Sequence, residues 1–249
     1  MKPILIATPR SGSTVICKQI SNLAEQWWGY KGCVNELFHV GSWFQTEVVK
    51  VNGILNWRVV GPVTQSGGWC EDIAGERARR RELLENRAEY MINLHANVFE
   101  NWTVDWVKQN WDPVFLERRN TVDQIISYAA YRTSKKAHYA IESNAVVNEF
   151  IYCKEHADLL LDILEKYHQI KKQLPGPTLY YEDWLSEGGD QNAIIKLLGW
   201  PNKPYMPEPS RTKPTPYVAD PERLIVNSAD WDRDKHSIVS RLNNFSINN

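Results

Sequence analysis

Two kinds of apolar pattern alternate along the chain. Short, mostly apolar runs occur at residues 4–7, 90–95 and 113–117. Runs of this length, rich in β-branched and aromatic residues, predict strands buried on both faces, as in a parallel sheet. A further strand is predicted over residues 57–63, where Gly-Pro interrupts "WRVVGPV", and a last short one in "TLYYEDW" before a turn. Between them the spacing changes to helical. Val15, Ile16, Ile20 and Leu23 share one helical face, and residues 97–111, 120–132 and 192–200 repeat that spacing. Residues 146–174 predict one long amphipathic helix, stopped by Pro175-Gly176-Pro177. Residues 75–90 predict a charged helix in which Glu76 and Arg80 stand four apart in the favourable order. Residues 201–221 are Pro-rich and predict an extended segment.

Strands and helices alternate throughout. The expected fold class is therefore α/β: one domain spanning residues 1–249, with a central parallel sheet flanked by helices. With 249 residues, 43% of them hydrophobic, the chain can bury one sizeable core. A formal net charge of −1 gives no basic field, so no nucleic-acid partner is expected. Cys17, Cys33, Cys70 and Cys153 form no C-x-x-C pair and no zinc spacing, which predicts free thiols in a reducing compartment and no metal site. No apolar run has the length of a signal peptide core or a membrane span, so the expected location is cytoplasmic, without a membrane partner.

The chemistry starts where the first strand ends, in "TPRSGST" (residues 8–14). A strand, a small polar turn and a helix make an anion site by electrostatics alone, because the first N–H groups of the helix have no internal acceptor. Gly12 lets the backbone approach a ligand, Ser11, Ser13 and Thr14 add hydroxyls, and Arg10 adds a planar fork of donors. By itself, the turn fits a helix N-cap with a solvated Arg equally well. It lacks the G-x-x-x-x-G-K-[ST] pattern of nucleoside-triphosphate loops, which disfavours an ordinary ATPase or GTPase.

"TPRSGST" resembles the 5′-phosphosulfate loop of sulfotransferases that use 3′-phosphoadenosine 5′-phosphosulfate (PAPS), where the pattern is P-[KR]-[ST]-G-[ST]-T. "VFLERRNTVDQIISY" (residues 114–128) is similar to the 3′-phosphate motif of the same family: a strand, Arg-Asn, and a helix carrying Ser eight positions after the Arg. The resemblance implies a P-loop-like phosphosulfate turn. Arg10, Ser11, Gly12, Ser13 and Thr14 would hold the phosphosulfate, and Arg119 and Ser127 the 3′-phosphate. It also implies that Tyr181 of "TLYYEDW" lies near the adenine. "SRTKPTPY" falls where relatives fold a basic loop over the nucleotide, so Arg211 and Lys213 would join it.

For the base, the resemblance points two ways. "NELFH" is similar to a segment of the trehalose-type and heparan-type branches whose Glu is the base, here Glu36. "INLH" resembles the strand that ends in a catalytic His in the cytosolic branch, here His95. The motifs match the trehalose and heparan style more closely, which favours Glu36. The implied activity is transfer of a sulfuryl group from PAPS to an acceptor hydroxyl on a carbohydrate or small molecule, leaving 3′,5′-ADP, with no metal required. Two other readings use the same residues: a small-molecule kinase with a degenerate P-loop, and a non-catalytic protein that binds 3′-phosphoadenosine nucleotides.

Overall fold

A computed structural model describes residues 3–13, 16, 32–34, 45–51, 54–58, 74–75, 77–78, 81–82, 90–134, 149–184, 222 and 225–247. The first strand, β1 (Pro3–Ala7), is buried at every position. Ile4, Leu5, Ile6 and Ala7 are wholly inaccessible to solvent. A strand with no polar face needs cover on both sides and a neighbour at each edge. β1 has both neighbours: β5 (Tyr90–His95) pairs with it in parallel, Ile6 opposite Leu94 and Ala7 opposite His95. On the other edge β6 (Asp112–Glu117) is also parallel, with Ile6 opposite Phe115.

Beyond this trio lie β2 (Gly32–Val34), β3 (Gln45–Val51), β4 (Ile54–Arg58) and β7 (Thr178–Tyr180). The seven strands run in the order β3-β4-β2-β5-β1-β6-β7. All neighbours are parallel except β3 and β4, which form an antiparallel pair at one edge. The chain passes from β5 to β6 across β1. Successive connections therefore diverge around β1, which makes the carboxyl ends of β5, β1 and β6 the topological switch point, the place where ligands of open α/β sheets bind.

Helices cover the sheet. After a 3₁₀ turn at Ala96–Val98, α1 (Asn101–Asn110) buries Trp106 and Val107. Its start is closed by Thr103, whose hydroxyl accepts from the Glu100 amide at 2.9 Å. α2 (Thr121–Ser134) buries Ile125, Ile126 and Ala129, and α3 (Lys154–Gln173) buries Leu160, Leu161, Leu164 and Tyr167. Each large aliphatic side chain so buried contributes about 1.5–3 kcal/mol. A single turn, α4 (Tyr181–Trp184), follows β7. α5 (Ser228–Ile247) buries Trp231 and Ile238 and packs on α3, where Arg241 bonds Asp162 and Glu165 and the Phe245 ring lies beside His168. Gly176 permits the last crossing: a Cβ there would overlap the Pro113 carbonyl oxygen.

The α/β expectation with a parallel sheet flanked by helices holds. Several element predictions need correction. The helix predicted over residues 146–174 begins only at Lys154. Before it, Phe150 bridges Ile225 in parallel, and Tyr152 exchanges backbone hydrogen bonds with the Asn227 amide (2.7 and 3.1 Å), so this backbone is satisfied outside a helix. The charged helix does not reach residue 90, because Tyr90 already belongs to β5. The strand predicted at residues 57–63 is centred earlier, at Ile54–Arg58, and residues 59–63 lie outside the described residues. The sequence reading did not anticipate β2, β3 or α5. Among the described residues no helix is long and apolar enough to cross a membrane.

Candidate functional site

The turn after β1 is bent by two left-handed residues. Gly12 sits at φ 85°, and Arg10 at φ 65° is the only non-glycine residue with positive φ among those described. For an L-residue that conformation costs free energy and persists only where its surroundings enforce it. Here they do. The amide and hydroxyl of Ser11 both donate to the Thr8 carbonyl (3.3 and 2.8 Å). From α2, the buried Gln124 amide donates to Thr8 Oγ1 at 2.8 Å and to the Pro9 carbonyl at 2.7 Å. The Ile16 amide then bonds the Gly12 carbonyl at 3.1 Å, and helical geometry begins.

This backbone sends the Arg10 side chain to α2. Its Nε donates to Ser127 Oγ at 3.0 Å, and its guanidinium lies 5.8 Å from the centre of the Tyr131 ring. One helical turn back, Asp123 faces a second guanidinium, Arg118, at 3.9 Å. Asp123, Ser127 and Tyr131 are spaced four apart, so they form one stripe along α2. Arg118 follows β6 and lies 4.8 Å from the Tyr181 ring centre; its Nε is buried and makes no hydrogen bond. Burial, and next the charge of Arg118, hold the Arg10 pKa below its ordinary value. Burial pushes the Asp123 carboxyl up, against the pull of Arg118. Asp123 thus faces Arg118 without a close hydrogen bond, while Arg10 is held at Ser127.

His95 ends β5, level with the last residue of β1. Its Nε2 lies 3.0 Å from Ser13 Oγ, and both groups are buried. If Nε2 is unprotonated, it accepts the Ser13 hydroxyl proton; the tautomer decides the direction. The carboxyl ends of β5, β1 and β6 therefore bring together a buried imidazole, a hydroxyl-bearing turn and the guanidiniums of Arg10 and Arg118.

The sequence-predicted residues fall into distinct groups. Arg10 meets Ser127, and Ser13 meets His95. Ser11 bonds within the turn and Gly12 shapes it. Arg119 and Ser127, expected to face one phosphate, bond different partners here. Arg119 is exposed and doubly bonded to Asp183, with Nη2 to Oδ2 at 2.7 Å, and its guanidinium stands 4.1 Å from the Tyr180 ring centre. Asp183 raises the Arg119 pKa and is itself lowered by it. Glu182 accepts from the amides of Arg119 (2.9 Å) and Asn120 (3.1 Å), and Asn120 Oδ1 accepts from the Asp123 amide at 3.1 Å. Tyr181 lies against Arg118. Thr14, Glu36, Arg211 and Lys213 lie outside the described residues.

The sequence reading missed Arg118, Asp123, Gln124 and Tyr131. The spacing of residues 123, 127 and 131 carried a signal, as did the polar Gln124 beside the apolar Ile125-Ile126 pair. Among the described residues, no group of three or more His, Cys, Asp or Glu side chains is placed to hold a metal ion. Comparison of the chain with protein-family models, with curated proteins and with solved structures gave no match.

Proposed function

We propose that this chain is a PAPS-dependent sulfotransferase acting on a hydroxyl of a carbohydrate or small molecule. One observation carries the reading. The two segments that resemble the family's nucleotide motifs stand more than a hundred residues apart, yet Arg10 of the first donates to Ser127 of the second at 3.0 Å. Their meeting point lies outside the carboxyl ends of β1 and β6, beside the topological switch.

In this reading the acceptor oxygen attacks sulfur in line. The bond from sulfur to the bridging phosphate oxygen breaks, and its electron pair leaves with 3′,5′-ADP. The acceptor proton passes to a base. Positioning and electrostatics supply most of the rate, as in phosphoryl transfer. Arg10 and the amides of the P-loop-like turn stabilise the departing oxygen. Glu36 takes the proton, and His95, fixed by Ser13, orients the reacting groups. Ser127 and Arg119 select the 3′-phosphate; Arg119 joins by exchanging Asp183, a solvent-exposed and hence weakly held partner, for the ligand.

A thermal-shift panel with 3′,5′-ADP, 5′-AMP and ATP–Mg²⁺ tests the reading. A ligand at 100 times its Kd adds about 2.7 kcal/mol of stability. At equal concentration, 3′,5′-ADP is expected to stabilise the chain more than 5′-AMP, and Arg119→Ala to remove most of that difference. Equal stabilisation by the two nucleotides would overturn the assignment; preference for ATP–Mg²⁺ would favour the kinase reading.

A further inference from the structure

Arg118 has no role in the resemblance, yet its surroundings are those of a ligand-binding group. Its side chain is 13% exposed, and among the described residues its only carboxylate neighbour within salt-bridge range, Asp123, stands at 3.9 Å, too far for a hydrogen bond. Other acids near Asp123 are engaged elsewhere. Glu182 accepts from the amides of Arg119 and Asn120, and Glu222 holds Lys235 at 2.7 Å and Trp231 Nε1 at 3.0 Å. The buried Nε of Arg118 makes no hydrogen bond, and an unmade bond at a buried charged group is costly.

We infer that Arg118 and Arg10 together clasp one tetrahedral oxyanion, a phosphate or sulfate group, between the ends of β1 and β6. The α2 stripe sets their separation. Arg118 lies at Asp123 and Arg10 at Ser127 and Tyr131, one helical turn further on. Residues so spaced stand about 5–6 Å apart at Cβ. That interval lets two guanidiniums approach one tetrahedral group from two sides. Tyr131 and Tyr181 flank the two guanidiniums, with ring centres 5.8 Å from Arg10 and 4.8 Å from Arg118, and restrict where the two forks can lie. The anion relieves the repulsion between the two cations and supplies the acceptor that Arg118 Nε lacks. This inference rests on the proposed function only for the identity of the nucleotide, since any tetrahedral dianion meets the geometry.

Binding of inorganic pyrophosphate, 3′-AMP, 5′-AMP and 3′,5′-ADP to the full chain tests it by calorimetry. Arg118→Gln is expected to weaken pyrophosphate about 10- to 100-fold, the value of one charge-assisted bond. The same loss on 3′-AMP alone, or on 5′-AMP alone, assigns the pair to that end of the nucleotide. Asp123→Asn removes the carboxylate that faces Arg118 and is expected to tighten pyrophosphate about two- to fivefold. Damage to the fold would give the opposite sign, so this variant decides the matter if Arg118→Gln does not fold. Unchanged pyrophosphate binding in Arg118→Gln, weaker binding in Asp123→Asn, or no binding of any of these probes by the unmodified chain overturns the inference. Pyrophosphate binding that falls in Arg118→Gln, with no preference for 3′,5′-ADP over 5′-AMP, leaves the cation pair standing and removes the sulfotransferase reading.

Discussion

A guanidinium beside a departing phosphate oxygen gains most where the negative charge on that oxygen is greatest, which is at the transition state. Arg10 is bound at Nε by Ser127, so its remaining donors are aimed rather than free to search. Arg10→Ala is therefore expected to lower kcat about 10²–10³-fold, as for loss of an oxyanion-stabilising donor. Affinity for 3′,5′-ADP should fall by less. Normal turnover at saturating donor, with only binding impaired, would make Arg10 an anchor. The base is a second question at this scale. Glu36→Gln keeps the side-chain shape and is expected to cost about 10²–10⁴ in kcat with 3′,5′-ADP affinity intact. Near-normal turnover in Glu36→Gln, together with its loss in a folded His95→Ala, would assign the proton transfer to His95 instead.

Elements are joined here by polar residues at their ends. Glu100 precedes α1 and accepts from Arg77 and, at 2.8 Å, from Trp102 Nε1. These bonds hold its pKa below the ordinary carboxylate value, the Arg77 bond foremost. A carboxyl lowered on folding stabilises the native state above its unfolded pKa, near 4.3, and loses that contribution as pH falls through the lower native value. Glu100→Gln should thus lower Tm at pH 7, and its difference from the parent chain should shrink as pH falls below about 4.3 towards the lower native value. A difference in Tm that stays constant from pH 7 to pH 3 would contradict this. The same elements show what local pattern can carry. The runs at residues 4–7, 90–95 and 113–117 were legible because a strand buried on both faces needs no tertiary information to look apolar. The helix start at Lys154 was not, since the competing partner of residues 150–152 lies some 75 positions away at Ile225 and Asn227. β2 and β3 are short or lie at an edge, and α5 has a mixed surface, so none of them stands out by periodicity.

At the scale of the molecule, function depends on strand order, which no local pattern encodes. Placing β1 between β5 and β6 brings the ends of three strands together: the turn with Arg10, the imidazole of His95, and the Arg118–Arg119 pair. Sequence motifs named Arg10, Ser127 and His95 as candidates, and the fold supplies the contacts among them. What the motifs left open was the division of labour between adjacent arginines. Arg119 turns outward to Asp183 beyond the sheet, while Arg118 turns inward along α2. That choice is made by Asp183 and Asp123, from separate parts of the chain.

The left-handed backbone at Arg10 sets selection for robustness against selection for turnover. Glycine adopts φ 65° without the steric penalty of about 1–2 kcal/mol that a side chain brings, although it gives back part of that gain through the greater freedom of its unfolded chain. Arg10→Gly also removes a like charge from beside Arg118. In the absence of ligand, Arg10→Gly is expected to melt at or above the temperature of the parent chain while losing sulfuryl transfer, a pairing that melting curves and turnover measured side by side would check. A library sorted for heat resistance alone would then retain such variants and discard the residue on which the proposed chemistry depends.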